Sequence, residues 1–123
     1  MAKLASEFLQ QPTLQALQVK IGEEHHAAAN EAIQHENWQK ATEEITLALE
    51  RAPDRPDYYL LRSLAKHRLD DNVGALGDID ATLALDPDAF ELANTKFKIL
   101  QWTDKHDEGL AFMHRWTRAH GYE

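Results

Sequence analysis

The chain has 123 residues, of which 43% are hydrophobic, 28% charged and none cysteine, and its formal net charge is −8. That length and balance fit one domain with a substantial core and argue against wholesale disorder. The acidic excess argues against a general nucleic-acid binder or a partner at an anionic membrane surface, and the missing cysteine removes disulfides, thiolate nucleophiles and cysteine-ligated metal from consideration. In residues 1–21, Leu4, Phe8 and Leu9 predict one short helix. Pro12 opens a second, with Leu14, Leu17 and Ile21 on one face. Glu7, Gln10, Gln11 and Pro12 break any apolar signal core, and no run of 18 apolar residues exists, so a cytoplasmic chain without a membrane span is expected. From Lys40 onward Ala41, Ile45, Ala48, Leu49 and Ala52 recur at helical spacing, and Pro53 stops the helix. Ala75, Leu76, Ile79 and Leu83 repeat the pattern up to Pro87. Gly74 and Gly77 lie inside this second pattern without the Lys-Ser/Thr of a phosphate loop, and are read as close packing. No segment alternates with period two for long enough to make a sheet, so the fold class is all-α.

The two patterned segments are copies. One constant shift places Ala41 on Ala75, Ile45 on Ile79, Leu49 on Leu83, Pro53 on Pro87 and Asp54 on Asp88. Ala29, Trp38, Ala41, Ile45, Ala48 and Pro53 in one copy, and Tyr59, Ser63, Ala75, Ile79, Thr82 and Pro87 in the next, resemble the tetratricopeptide repeat family, whose unit has the same length. The resemblance implies an α-α superhelix of about three antiparallel helix pairs. Its frame is 22–55, 56–89 and a degenerate 90–123, preceded by the extension 1–21, which is expected to cap the N-terminal end or to serve as a partner-binding arm. Helices cross closely only over small side chains, so Ala29, Ala41 and Ala48 should line one crossing and Ser63, Ala75 and Thr82 the next. Trp38, Ile45, Tyr59, Leu69 and Ile79 should fill the flanking space, and Asn37 and Asp71 should cap the second helix of each pair. Tyr58, Phe90, Phe97 and Phe112 are expected as helix-packing rings. In the third copy the crossing positions become Phe97, Gly109 and Trp116, with volume traded between Phe97 and Gly109. Leu110, exposed Phe112, Met113 and Trp116 carry more apolar surface than one neighbouring helix covers. Either a homodimer forms through the C-terminal repeat, or Trp116 folds back against Phe97.

Catalytic chemistry finds no support. Ser63 falls at a helix crossing, and the carboxylates show no distinguishing spacing. Among the 7 histidines, His25 and His26 diverge on a helix, and His106, His114 and His120 lack ligand spacing. Glu31 and His35 stand four apart, a weak signal. No cofactor and no metal are expected.

In the resembled family the first helix of each pair lines a concave groove that commonly binds a peptide or a helix of another protein. Carried onto this sequence, the groove holds His26, Asn30, Ile33, Leu60, Leu64, His67, Arg68, Lys98 and Trp102, with Ile33, Leu60, Leu64 and Trp102 as an apolar patch. Glu23, Gln34, Asp57, Glu91, Asn94 and Gln101 fall on the same face. The N-terminal segment folded over the patch is the alternative. One branch of the family clamps acidic chaperone tails through Lys, Asn, Asn, Lys and Arg. The corresponding places here hold His26, Asn30, Leu61, Glu91 and Thr95, of which Asn30 alone matches. The expected function is a non-catalytic protein–protein interaction module, an adaptor or scaffold. A small secretion-type chaperone and a histidine-based metal-binding protein are the alternatives, and neither nucleic acid nor membrane is an expected partner.

Overall fold

A computed structural model describes residues 13–122, and all the regular structure in that span is α-helical. Six helices follow one another: α1 Leu14–Gln34, α2 Trp38–Arg51, α3 Pro56–Arg68, α4 Asn72–Leu85, α5 Phe90–Trp102 and α6 His106–Ala119. The short helix expected around Leu4, Phe8 and Leu9 lies outside the described residues.

The bounds repeat with the sequence. α2, α4 and α6 begin one repeat length apart at Trp38, Asn72 and His106, and α1, α3 and α5 end one repeat length apart at Gln34, Arg68 and Trp102. Three turns within the helix pairs place Glu36, Asp70 and Asp104, at the same interval, at positive φ near 60°. α1 breaks the rule at its start, running unbroken from Leu14 through the frame's opening at Gly22, with Thr13 Oγ1 accepting from Ala16 N at 3.0 Å. Asn37 and Asp71 cap α2 and α4: their Oδ1 atoms accept from Lys40 N at 3.2 Å and Gly74 N at 2.9 Å. Lys105, the third member of that series, offers no side-chain acceptor. Asp107 and Glu108 instead place negative charge on the first turn of α6.

Each helix packs on its neighbours in chain order, giving an α-α superhelix. The small residues lie where helices meet. Ala29, Ala41, Ala48, Ala75 and Ser63 have no exposed surface, and Thr82 almost none. Ala29, Ile45, Ala48, Leu49 and Tyr58 form one cluster, Ala32, Ala41 and Ala65 a second, and Ala75, Ile79 and Ile99 a third. In the third copy Gly109 is the small partner. A β-carbon there would stand 3.2 Å from Leu100 Cβ and 3.6 Å from Phe97 Cδ2, so glycine takes up the volume that Phe97 adds.

Three packing expectations need correction. Leu69, placed among the space-filling residues, follows the last turn of α3 and is exposed, because the chain turns away there toward Asp70. Gly77 meets nothing within 4 Å of where a β-carbon would stand, and Gly74 is crowded by the carboxylate of its own cap, Asp71, so neither glycine marks a close helix approach. Phe112 is half-buried, with the Lys96 ammonium 4.4 Å from its ring centre, which leaves Leu110 as the more open side chain of α6.

Trp116 folds back within the chain, onto Phe90 rather than the expected Phe97. Trp116 is only 7% exposed. Its indole N–H donates to the Pro87 carbonyl at 3.2 Å, which fixes the ring at the start of α5, where antiparallel packing presents Phe90 at 5.8 Å. His120 stacks on Trp116 at 4.0 Å and Tyr122 at 5.8 Å. The two ring nitrogens of His120 face acceptors only: Nδ1 lies 2.8 Å from the Trp116 carbonyl and Nε2 3.0 Å from Asp88 Oδ1. Both can donate only in the imidazolium form. The Trp116 carbonyl, and then the Asp88 carboxylate, therefore hold His120 above its ordinary value against a smaller opposing effect of burial. What this contact adds to stability is complete below the ordinary imidazole range and is lost as pH rises through the elevated value. A proton NMR titration should show His120 and the Trp116 indole N–H moving together, with a midpoint that falls in Asp88→Asn. An unchanged midpoint in that variant would mean the carboxylate has no part in the contact.

Candidate functional site

α3 touches α1 on one side and α5 on the other through side chains along one face. The His26 ring of α1 lies 4.9 Å from the Tyr58 ring of α3. At the other end of α3, His67 stacks on Trp102 of α5 at 4.8 Å with their planes 21° apart. Between these two contacts Ala32 and Ala65 share a cluster with Ala41 of α2, and Leu60 packs against the cluster of Ala75, Ile79 and Ile99. The repeat period sets equivalent residues of successive pairs side by side, so this face carries rows: Glu23, Asp57 and Glu91 at one end, then Asn30, Leu64 and Lys98.

The residues singled out from sequence divide by what they touch. Ile33 and Leu60 are half-buried against the alanine and isoleucine clusters and hold the helices together. Leu64 and Trp102 are 46% and 62% exposed, large apolar surfaces that the fold leaves open. His67 is fixed from both sides: Trp102 lies against its ring, and Nδ1 sits 2.9 Å from Asn72 Oδ1, an acceptor, so Nδ1 carries the proton. Asn30 Nδ2 donates to His26 Nε2 at 3.3 Å. Lys98 is exposed one turn before Trp102. Arg68 leaves the row, because its guanidinium lies over the Trp38 ring of α2, 5.3 Å from the centre.

The acidic end of the face is built on the first turns of α3 and α5. Asp57 is held by Arg55 in a two-pronged pair, Nε to Oδ1 at 3.1 Å and Nη2 to Oδ2 at 2.9 Å. Burial pushes the Asp57 carboxyl upward, but the Arg55 hydrogen bonds and charge win and hold it below the usual carboxylate value. The same guanidinium lies 4.5 Å from the centre of the Tyr58 ring. The Tyr58 hydroxyl is buried without a hydrogen-bond partner among the described residues, and burial raises its pKa. Beside this turn a cleft of about 220 Å³ opens between α3 and α5, with Pro56, Leu60 and Leu92 as apolar lining and Asp57, Asp86 and Glu91 at its edge. The sequence reading missed Asp86 and Leu92. Asp86 ends α4 just before Pro87, and Leu92 follows Glu91 on the side of α5 that turns inward.

A second cleft of about 300 Å³ lies between Gln15, Gln18 and Val19 of α1 and the Arg51 to Arg55 turn, close to where residues 1–12 join the helix. Whether that segment caps the fold or covers the groove lies outside the described residues. Among the described residues no three His, Asp or Glu side chains form a group that could hold a metal ion. His25 pairs with Glu44 at 2.8 Å, and His35 Nδ1 bonds the backbone carbonyl of Glu31. No helix among them is long and apolar enough to cross a membrane.

No family model matches the sequence, and no curated protein matches it. Solved structures do resemble the fold. The TPR domain of Arabidopsis OM64 superposes with a TM-score of 0.73 at 17% identity, over 86% of this chain and 88% of that one. The TPR2B domain of yeast Sti1, in its complex with pHsp70, superposes with a TM-score of 0.72 at 19% identity, over 80% of this chain and 79% of that one. MamA gives a TM-score of 0.73 at 12% identity, over 79% of this chain and 53% of MamA. The period shared by sequence, helix bounds and turns, together with these superpositions, identifies the fold of the chain as that of the tetratricopeptide repeat.

Proposed function

We propose that the chain is a non-catalytic protein–protein interaction module, which binds a peptide or a helix of another protein along the face made by α1, α3 and α5. The observation that carries this reading is the open Leu64 and Trp102 pair. A tryptophan 62% exposed yet fixed by a stacked histidine is an anchor prepared for a partner, since its ring is already ordered and little conformational freedom is lost on contact. Supporting it, the solved complex of Sti1 shows a domain of this fold holding a partner. The adaptor role and the binding residues His26, Asn30, Leu60, His67 and Lys98 are part of the same proposal, as is the division into an extension, 1–21, and a repeat domain, 22–123. Arg68 and Ile33 contribute by holding α3 on α2 and α1.

The test is a pull-down from extract with mass spectrometry, run on the wild type and on Leu64→Asn/Trp102→Ser. A specific partner retained by the wild type and reduced at least about tenfold in the variant is expected, because two central anchors worth about 1 kcal/mol or more each are removed. Helicity by circular dichroism should be unchanged. Full retention of the partner by a folded double variant would move the binding surface off this face.

A further inference from the structure

The chemistry of the groove selects its occupant, and this inference rests on the reading of the α1, α3 and α5 face as a binding face. The 220 Å³ cleft between α3 and α5 is apolar within and acidic at its edge: Leu60, Leu92 and Pro56 line it, and Asp57, Asp86 and Glu91 ring it. Arg55 already satisfies Asp57. No cation pairs with Asp86 or Glu91 among the described residues, and both are exposed. An apolar shaft leading to unpaired carboxylates matches one kind of protein side chain, a lysine or arginine. Its methylene stem covers apolar surface, and its charged head stays at the edge. A partner's carboxylate would meet repulsion at Glu91 and Asp86 together, and an aliphatic side chain would fill the cleft without answering their charge.

The cleft and the open Leu64 side chain are both on α3. Leu60, in the cleft, and Leu64, beside it on α3, are one helical turn apart, a rise of about 6 Å. Two residues of extended chain span about that distance. We infer that the groove binds an extended basic segment of a partner protein, in which a lysine or arginine occupies the Leu60 and Leu92 cleft against Asp86 and Glu91, and an apolar residue two or three positions away packs on Leu64 and Trp102. The partner's charge is opposite to that of the acidic tails taken by the clamp this chain lacks. Lys98, two turns along α5 from Glu91, makes an acidic segment the competing occupant.

The probe is a displayed library of random octapeptides, selected on the immobilised full chain, followed by fluorescence anisotropy with one synthesised peptide. Enrichment of sequences with Lys or Arg two or three positions from Leu, Phe or Trp is expected. The chosen peptide should bind about tenfold more weakly to Asp86→Asn/Glu91→Gln, and to a similar degree when its basic residue is replaced by methionine. Raising the salt should weaken the wild-type complex and leave the variant complex nearly unchanged. If Asp86→Asn/Glu91→Gln loses helicity, Glu91→Gln alone at its exposed position should show the larger part of the loss. Enrichment of acidic or charge-free sequences that lose binding in Leu64→Asn/Trp102→Ser but keep it in Asp86→Asn/Glu91→Gln would overturn the basic occupant and leave the groove reading intact. No enrichment, or binding that survives both variants, would overturn both.

Discussion

Asp78→Ala should destabilise the chain by about 3 kcal/mol, a fall in melting temperature on the order of 10 °C. Asp78 lies on α4 with 6% of its side chain exposed and accepts both prongs of Arg62 from α3, Nε at 2.9 Å and Nη2 at 2.7 Å. Lys66 Nζ adds a third contact at 3.2 Å. Arg62 Nη1 also donates to Thr46 Oγ1 of α2 at 3.2 Å, so one guanidinium ties three helices. The hydrogen bonds to Asp78 raise the Arg62 pKa further despite its burial. Removing the carboxylate leaves two cations facing each other in a poorly hydrated crevice. The loss falls at the low end for a buried pair because Arg62 and Lys66 keep about a fifth of their side-chain surface in water. Replacing both partners, in Arg62→Met/Asp78→Leu, should cost less than Asp78→Ala alone, since Lys66 is then the one cation left without its carboxylate, in place of two. Urea unfolding of the three chains measures this. A loss below about 1 kcal/mol in Asp78→Ala would show that water reaches the cations and compensates them.

Ala41→Leu and Ala75→Leu should each cost about 1–3 kcal/mol by overpacking. Ala41 is fully buried in one cluster with Ala32 and Ala65, and Ala75 in another with Ile79 and Ile99. Three more carbons at either site would push apart helices that meet through methyl groups. Gly77→Ala supplies the contrast on the same helix as Ala75. Its β-carbon meets nothing within 4 Å, and alanine in a helix interior should stabilise by about 0.5–1 kcal/mol. Thermal unfolding that left both leucine variants within a degree or two of the wild type would break the assignment of these alanines to the helix crossings.

The helices, their ends and the crossings were legible because each rests on rules that act within one turn or one repeat. Asn37 and Asp71 could be read as caps because a side-chain acceptor before a helical pattern has a local use, and both fulfil it. Ala41 and Ala75 could be read as crossing residues because small side chains recur at the same place in two copies. The pair of Arg62 and Asp78 was not legible, because its identity does not repeat. The equivalent positions in the next repeat hold Lys96 and Phe112, where an ammonium over a ring replaces the ion pair, and those in the preceding repeat hold Ala28 and Glu44. The fold-back of Trp116 was legible only as a contact with Phe97. Its true partner, Phe90, depends on the indole bond to Pro87, a contact 29 residues away in sequence. On the binding face, the period located the rows of residues. It did not separate Ile33 and Leu60, which pack, from Leu64 and Trp102, which stay open, because that depends on how far each helix pair rotates on the next. The cleft eluded the period for a related reason: Asp86 and Leu92 come from two sides of the Pro87 turn.

The central claim, that α1, α3 and α5 present the binding face, is tested most directly by mapping amide chemical shifts of the full chain as a selected octapeptide is added. The account predicts changes concentrated on His26, Leu60, Leu64, His67, Glu91, Lys98 and Trp102, with the Trp102 indole N–H among the largest. Changes gathered on exposed positions of α2, α4 and α6, such as Leu47, Val73 and Leu110, with Trp102 unmoved, would contradict it.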